Sequence, residues 1–168
     1  ELVTKSKWTD PGSRALFERA LLRRNVWCLH ADLIFKELHL SLLSGEDCFL
    51  GLGAFGRVLK VKARDGLDDV ALKMILSHDR SVCERARKEF AIARSAQGTG
   101  VVVNVLECCN NVAEVDGIFG CGYTMELGEK PKLTNLHALL LVLAKLHENG
   151  WIHGDARIAN LILCGDVL

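Results

Sequence analysis

The stretch from Cys48 to Leu76 constrains the fold most. Phe49 to Lys62 alternates glycine, apolar and basic residues, and Val70 to Leu76 is a second short apolar run. Arg64-Asp65-Gly66 lies between them. Two such runs joined by a turn-forming tripeptide predict a β-hairpin with glycines on its first strand. Those glycines form Gly51-Leu52-Gly53-Ala54-Phe55-Gly56-Arg57-Val58, a GxGxxG spacing. Glycine lets a backbone approach a phosphate closely, but it also marks ordinary turns. In a dinucleotide-binding unit the motif follows a strand and opens a helix. Here β-forming residues follow it, and no helical pattern begins before about residue 79. The context predicts a glycine-rich hairpin lying over phosphates.

The remaining segments predict an α+β chain in three parts. Residues 1–44 read as a helical N-terminal extension. Asp10-Pro11 marks a helix start, because proline is tolerated in the first turn. Phe17, Ala20, Leu21 and Arg24 follow at helical spacing, and the pattern continues from Val26 to Leu43 through Trp27, Leu33, Ile34, Leu38 and Leu42. Nothing in this part suggests chemistry. Residues 45–126 hold the hairpin, a helix over 79–97 with Val82, Ala86, Phe90 and Ala93 on one side, and two more strands, Val101 to Cys108 and Ile118 to Glu126. Turns are expected near Asn110-Asn111 and Asp116-Gly117. Residues 127–168 hold a helix from Leu133 to Asn149, apolar nearly all round, which expects burial on most faces. Gly150 is its expected stop, and Leu161 to Cys164 reads as a last short strand.

Composition narrows the class. The chain is 49% hydrophobic and 25% charged, with 21 basic and 21 acidic residues. That balance suits a globular core and supplies no basic field for nucleic acid. The short run Arg85-Ala86-Arg87-Lys88 reads as a solvated helix face. The longest apolar run, Ala138 to Ala144, is too short for a membrane span. Seven cysteines, with no CxxC pair, read as reduced and mostly buried thiols in an intracellular setting, cytoplasm or nucleus. Both ends read as those of an excerpt, since the chain opens on Glu1 and closes on Asp166-Val167-Leu168.

Two further segments carry candidate chemistry. In Val70-Ala71-Leu72-Lys73, a strand lysine flanked by apolar residues points its ammonium toward an anion, unless it only snorkels at a sheet edge. It stands 22 residues after Gly51, the separation that two paired strands and a turn produce. The next helix offers Glu84 and Glu89 as carboxylate partners. Glu89, beside Phe90, is preferred. The second segment is Trp151-Ile152-His153-Gly154-Asp155-Ala156-Arg157-Ile158-Ala159-Asn160. Asp155 can orient an attacking hydroxyl or take its proton. Asn160 offers a neutral oxygen to Mg²⁺. Arg157 can balance charge on a transferring phosphoryl group. The plain alternative is that His153 and Asp155 cap the preceding helix and its loop.

The segments "GLGAFGRV", "VALK" and "HGDARIAN", in that order, resemble the glycine-rich loop, lysine strand and catalytic loop of the protein kinases. The resemblance runs from about Phe49 to Leu163. It implies a protein-kinase-like fold and transfer of the γ-phosphoryl of ATP to a Ser, Thr or Tyr hydroxyl of a protein substrate, with Mg²⁺. It implies that Gly51, Gly53 and Gly56 cover the nucleotide, that Lys73 paired with Glu89 holds its phosphates, and that Leu50, Val58, Ala71 and Ile162 sandwich the adenine. Met125 would be the gatekeeper, and Glu126 to Gly128 the hinge. Asp155, Arg157 and Asn160 would be the catalytic-loop residues, with Asn160 on the metal. "ALKMI" and "WIHGDAR", after a Trp-containing helical lead-in, are also similar to kinase-like domains of crinkler effectors, which implies action inside a host cell.

The pattern departs from the family in three places. Gly154 stands where HRD has arginine, the residue that reads activation-loop phosphorylation. His-Gly-Asp is also the form of small-molecule kinases of the aminoglycoside and choline type. Arg157 stands where serine/threonine kinases usually carry lysine, which leaves the acceptor open. The chain ends eight residues after Asn160, before the second metal-binding aspartate the family carries. This chain alone is therefore expected to be weak or inactive. A pseudokinase-like module that binds nucleotide or a partner is the alternative from another class.

Overall fold

The computed structural model describes residues 26–43, 48–53, 56–63, 68–129, 136–157 and 160–164. The predicted helix start at Asp10-Pro11 and the Arg64-Asp65-Gly66 turn lie outside the described residues. In chain order the elements are helix α1 (residues 26–37), β1 (Ser41–Leu42), β2 (Phe49–Leu52), β3 (Gly56–Lys62), β4 (Asp69–Ser77), α2 (Arg80–Ala96), a 3₁₀ turn (Gln97–Thr99), β5 (Val105–Cys108), β6 (Ala113–Val115), β7 (Ile118–Glu126) and α3 (Leu136–Glu148). The fold is α+β. Its antiparallel sheet runs β1-β3-β4-β7-β5, with β2 also paired to β3 and β6 to β7. Among the described residues no helix is long and apolar enough to cross a membrane.

The two-residue period of β4 distributes the core. Val70, Leu72 and Met74 pack with Ile34 of α1, with Leu38 just past its end and with Val61 of β3. The alternate residue Ile75 packs with Val82, Cys83 and Ala86 of α2 and Cys121 of β7. Phe90, Val105 and Tyr123 form a third cluster beside it. The sheet is therefore apolar on both faces and has a helix on each. Ile34, Val61 and Leu72 are at most 1% exposed. Burying each such side chain contributes roughly 1.5–3 kcal/mol.

Several boundaries differ from the sequence expectation, each for a local reason. The helix predicted through Leu43 stops at residue 37. His39 takes a φ of 53°, the Leu40 N–H donates to the Phe35 carbonyl at 2.8 Å, and the His39 N–H donates to Lys36 at 3.4 Å. This is a left-handed helix cap with histidine in the place glycine usually takes. Ser41 and Leu42 then pair with Lys62 and Val61, so strand pairing overrides the helical spacing of Leu42. The strand predicted from Val101 begins only at Val105, after Gly100 has turned the chain at a φ of 70°. An unpredicted strand, β6, joins β7 through Asp116-Gly117, both at positive φ, as a type I′ hairpin needs. The strand predicted at Leu161 to Cys164 reduces to a bridge between Leu163 and Glu129. Of the described side chains of α3 only Leu146 is buried, while Leu140 and Leu141 are each 58% exposed, so the burial on most faces that its apolar sequence expects is not met. All seven cysteines are free; Cys83, Cys109 and Cys121 are buried and Cys28 is exposed.

The seat of α1 was not legible in advance. Gly120 and Gly122 lie on the α1 face of β7, and each makes room for a helix side chain. A Cβ on Gly120 would come within 2.1 Å of His30 Cδ2, and one on Gly122 within 3.1 Å of Ile34 Cγ2. His30, fully buried, spans the gap, with Nδ1 2.8 Å from the Val26 carbonyl oxygen and Nε2 3.0 Å from that of Ile118. The Arg57 guanidinium lies 4.2 Å from the centroid of the Trp27 ring, tying α1 to the start of β3. Glu37 Oε1 accepts the Asn110 N–H at 2.7 Å and the Asn111 N–H at 3.3 Å, closing the predicted turn.

Overpacking of this kind costs roughly 1–3 kcal/mol. Gly120→Ala is expected to lower unfolding stability by about that amount, read as a lower urea midpoint. Gly98→Ala, where an added Cβ meets nothing within 4 Å, should leave the midpoint near the wild-type value.

Candidate functional site

The glycine-rich segment is a hairpin. Gly53 N–H donates to the Gly56 carbonyl at 2.8 Å, closing the turn between β2 and β3. Its tip, Ala54 and Phe55, lies outside the described residues. Gly56 has a packing reason to be glycine, since a Cβ there would meet the Met74 carbonyl oxygen at 2.6 Å. Gly51 and Gly53 have no such close neighbour. Leu50 is half-buried on β2, and Gly51 pairs with Val58.

β4 runs between β3 and β7 in a register that sets one row of side chains. Val58 pairs with Lys73, and Lys73 pairs with Tyr123. The next row is Lys60, Ala71 and Met125. Because β4 alternates, Lys73 and Ala71 share a face with Ile75, which packs on α2. The helix comes to this face capped by Asp79, whose carboxylate accepts the Ser81 N–H at 2.9 Å. The Ser81 hydroxyl, donating to the same carboxylate at 2.7 Å, and then this N–H hold the Asp79 carboxyl below its ordinary range.

Glu89 of α2 accepts from Lys73 Nζ at 2.6 Å. Glu84, the other candidate, instead lies 3.4 Å from Arg80 on its own helix. The Lys73 side chain is 29% exposed and that of Glu89 is 55% exposed. An ion pair so open to water contributes about 0–1 kcal/mol. A third group reinforces it. Tyr123 Oη donates to the same Glu89 Oε1 at 3.0 Å, and Lys73 Nζ lies 5.4 Å from the Tyr123 ring centroid. Tyr123 is 5% exposed, and its ring packs at a tilt on Phe90, centroids 5.7 Å apart. Burial first, and the nearby Glu89 charge second, push the phenol's ionisation well above its ordinary range. It therefore stays a donor. Sequence reasoning missed Tyr123. Its only signal was the two-residue spacing from Met125, which puts both on the lysine's face once the register is known.

The second group forms after α3. That helix ends in paired cap bonds, Trp151 N–H to the Leu146 carbonyl at 2.9 Å and Gly150 N–H to His147 at 2.9 Å, with Gly150 at a φ of 78°. Gly154 takes a φ of 74°, a conformation that disfavours a side chain. This is a backbone reason for glycine at that position. His153 Nδ1 accepts the Asp155 N–H at 3.3 Å. Asp155, Arg157 and Asn160 converge. Arg157 lies 3.0 Å from Asp155 Oδ2, and Asn160 Nδ2 donates at 2.9 Å both to that oxygen and to the Asp155 carbonyl. Asp155 Oδ1 takes neither bond, and Asn160 meets Asp155 through its amide nitrogen rather than its amide oxygen. An acceptor of that kind suits a hard cation such as Mg²⁺ alongside ligand oxygens. Among the described residues no three His, Cys, Asp or Glu side chains form a metal cage by themselves.

A backbone bridge joins β7's exit to this loop's exit. Glu129 N–H donates to the Leu163 carbonyl at 2.8 Å, and Leu163 N–H returns to Glu129 at 2.9 Å. The fit is close at Gly128, where a Cβ would meet the Leu163 carbonyl oxygen at 2.8 Å and the Ile162 Cβ at 3.3 Å. Ile162 thus lies against Gly128. Upstream, Glu126 N–H donates to the Asn104 carbonyl at 2.8 Å, and its carboxylate accepts from Asn104 Nδ2 at 2.8 Å. Met125, half-buried, packs with Phe90, Val105 and Tyr123. The structure therefore brings together Lys73 with Glu89, Asp155 with Arg157 and Asn160, and Gly128 with Ile162. Two open concavities, of about 370 and 580 Å³, are lined by His147, Gly150, Trp151 and Ile152 and by residues around Asp69 and Glu126; neither is lined by Lys73, Glu89 or Asp155.

A side chain at the φ of Gly154 costs roughly 1–2 kcal/mol. Gly154→Ala is expected to open the loop and speed tryptic cleavage at Arg157 by about fivefold or more. Gly154→Asn, a residue that tolerates this conformation, should have a smaller effect.

No protein-family model matches the chain, and the comparison with curated proteins finds no match.

Proposed function

We propose that the chain is a protein-kinase-like ATP-binding domain. The observation that carries this reading is the 2.6 Å pair between Lys73, on the strand after a glycine-rich hairpin, and Glu89, on the helix that follows. In protein kinases such a pair must be formed for the lysine to hold the nucleotide's phosphates. The clustering of Asp155, Arg157 and Asn160 supports the same reading.

The residues then take the following roles. Gly51, Gly53 and Gly56 carry no side chain that would keep the hairpin backbone from the phosphates, and Lys73 supplies the charge. Leu50, Val58, Ala71 and Ile162 bound the adenine, Met125 sits behind it, and Glu126 to Gly128 offer backbone polar groups to its edge. Asp155 orients the acceptor hydroxyl through Oδ1, because Arg157 and Asn160 hold Oδ2. The acceptor hydroxyl belongs to a protein side chain. Mg²⁺ would be held by Asn160 and the nucleotide's own phosphates, where it neutralises developing charge. Free thiols throughout suit the reducing conditions of cytoplasm or nucleus.

Thermal unfolding with ATP tests the reading. A ligand at a hundred times its Kd stabilises the folded state by about 2.7 kcal/mol. ATP with Mg²⁺ is expected to raise Tm, and Lys73→Ala to abolish the rise. No shift at millimolar ATP in the folded wild-type chain would contradict the reading. A shift without transfer to any peptide, or transfer only to an amino-sugar or choline-like alcohol, would point to the binding-module or small-molecule alternatives.

A further inference from the structure

Two donors meet on one oxygen of Glu89. Lys73 Nζ and Tyr123 Oη lie 2.6 and 3.0 Å from Oε1. They hold the carboxylate in different ways. The ammonium ends a flexible chain and attracts from any direction. The phenol is fixed, being buried, stacked against Phe90 and set beside Lys73 by the β4–β7 register. Glu89 itself sits on an exposed helix flank, where a glutamate has several rotamers open to it. A charge alone holds such a side chain loosely, whereas a directional donor with no freedom of its own selects one rotamer.

We propose that Tyr123 is a positioning residue of the nucleotide site, whose hydroxyl holds Glu89 in the rotamer that pairs with Lys73, so that the pair is assembled before any ligand arrives. The purpose of that pairing rests on the kinase-like reading. The holding of Glu89 is a property of the three side chains and is tested apart from it.

Tyr123 is the chain's single tyrosine, so incorporated 3-fluorotyrosine reports on that position alone. Its ¹⁹F resonance should move in Glu89→Ala; an unmoved resonance overturns the proposal without requiring any change at Tyr123. The second readout is acetylation of Lys73 by acetic anhydride relative to exposed Lys88, followed by mass spectrometry. Tyr123→Phe keeps the ring and its packing. It should raise the relative reactivity of Lys73 by about threefold, within the range of couplings between contacting residues. In a Glu89→Ala background the same change should add nothing. Equal reactivity in Tyr123→Phe and wild type would overturn the proposal, as would an equal rise in both backgrounds, which is what general loosening of the strand produces. ATP affinity is measured in parallel, with Tyr123→Phe expected to bind severalfold more weakly. A chain that shows the coupling but binds no ATP keeps Tyr123 as the holder of the pair and sinks the kinase-like reading.

Discussion

If β4 slipped by one residue against β3 and β7, every side chain on it would change face. Lys73 would enter the core with Ile34 and Leu38, and Leu72 and Met74 would face α2. The register, Val58 to Lys73 to Tyr123, is therefore the constraint on which the site depends. It is enforced from both sides. Val70, Leu72 and Met74 bury themselves under α1, while Ile75 packs on α2. A charged residue sits in the middle strand at tolerable cost because its head leaves the core at a carboxylate and a phenol rather than in apolar surroundings.

The same arrangement makes α1 part of the site's foundation. The helix covers the sheet face opposite Lys73 and is keyed into Gly120 and Gly122 by His30 and Ile34. Its Trp27 holds Arg57, the residue after the last glycine of the hairpin. Movement of α1 would thus be felt at the glycine-rich turn, through contacts on the face away from the lysine. The loop that holds Asp155 is built differently. It is exposed, and short-range hydrogen bonds among Asp155, Arg157 and Asn160 order it, with little buried apolar surface beneath.

Local patterns told most about elements whose partners lie close in sequence. The β-hairpin, the strand through Val70-Leu76 and the helix near 79–97 were readable, because period and turn residues act within a few residues. The preference for Glu89 over Glu84 was also legible from its place beside Phe90, on the side of the helix that turns to the sheet. The early end of α1 was not, since the pairing of Leu42 with Val61 is a tertiary contact that local spacing does not encode. Nor was Tyr123, whose importance depends on a strand pairing fifty residues long in sequence separation. Gly120 and Gly122 carried no local signal; only the helix seated on them explains why they are small.

The most direct test of the central claim, that Lys73 faces a nucleotide phosphate site, is affinity labelling. An acyl phosphate of ATP transfers its acyl group to amines held beside the phosphates. The account predicts that Lys73 is modified ahead of the chain's other lysines, and that excess ATP protects it. Labelling spread over exposed lysines such as Lys36 and Lys88, unchanged by ATP, would contradict it.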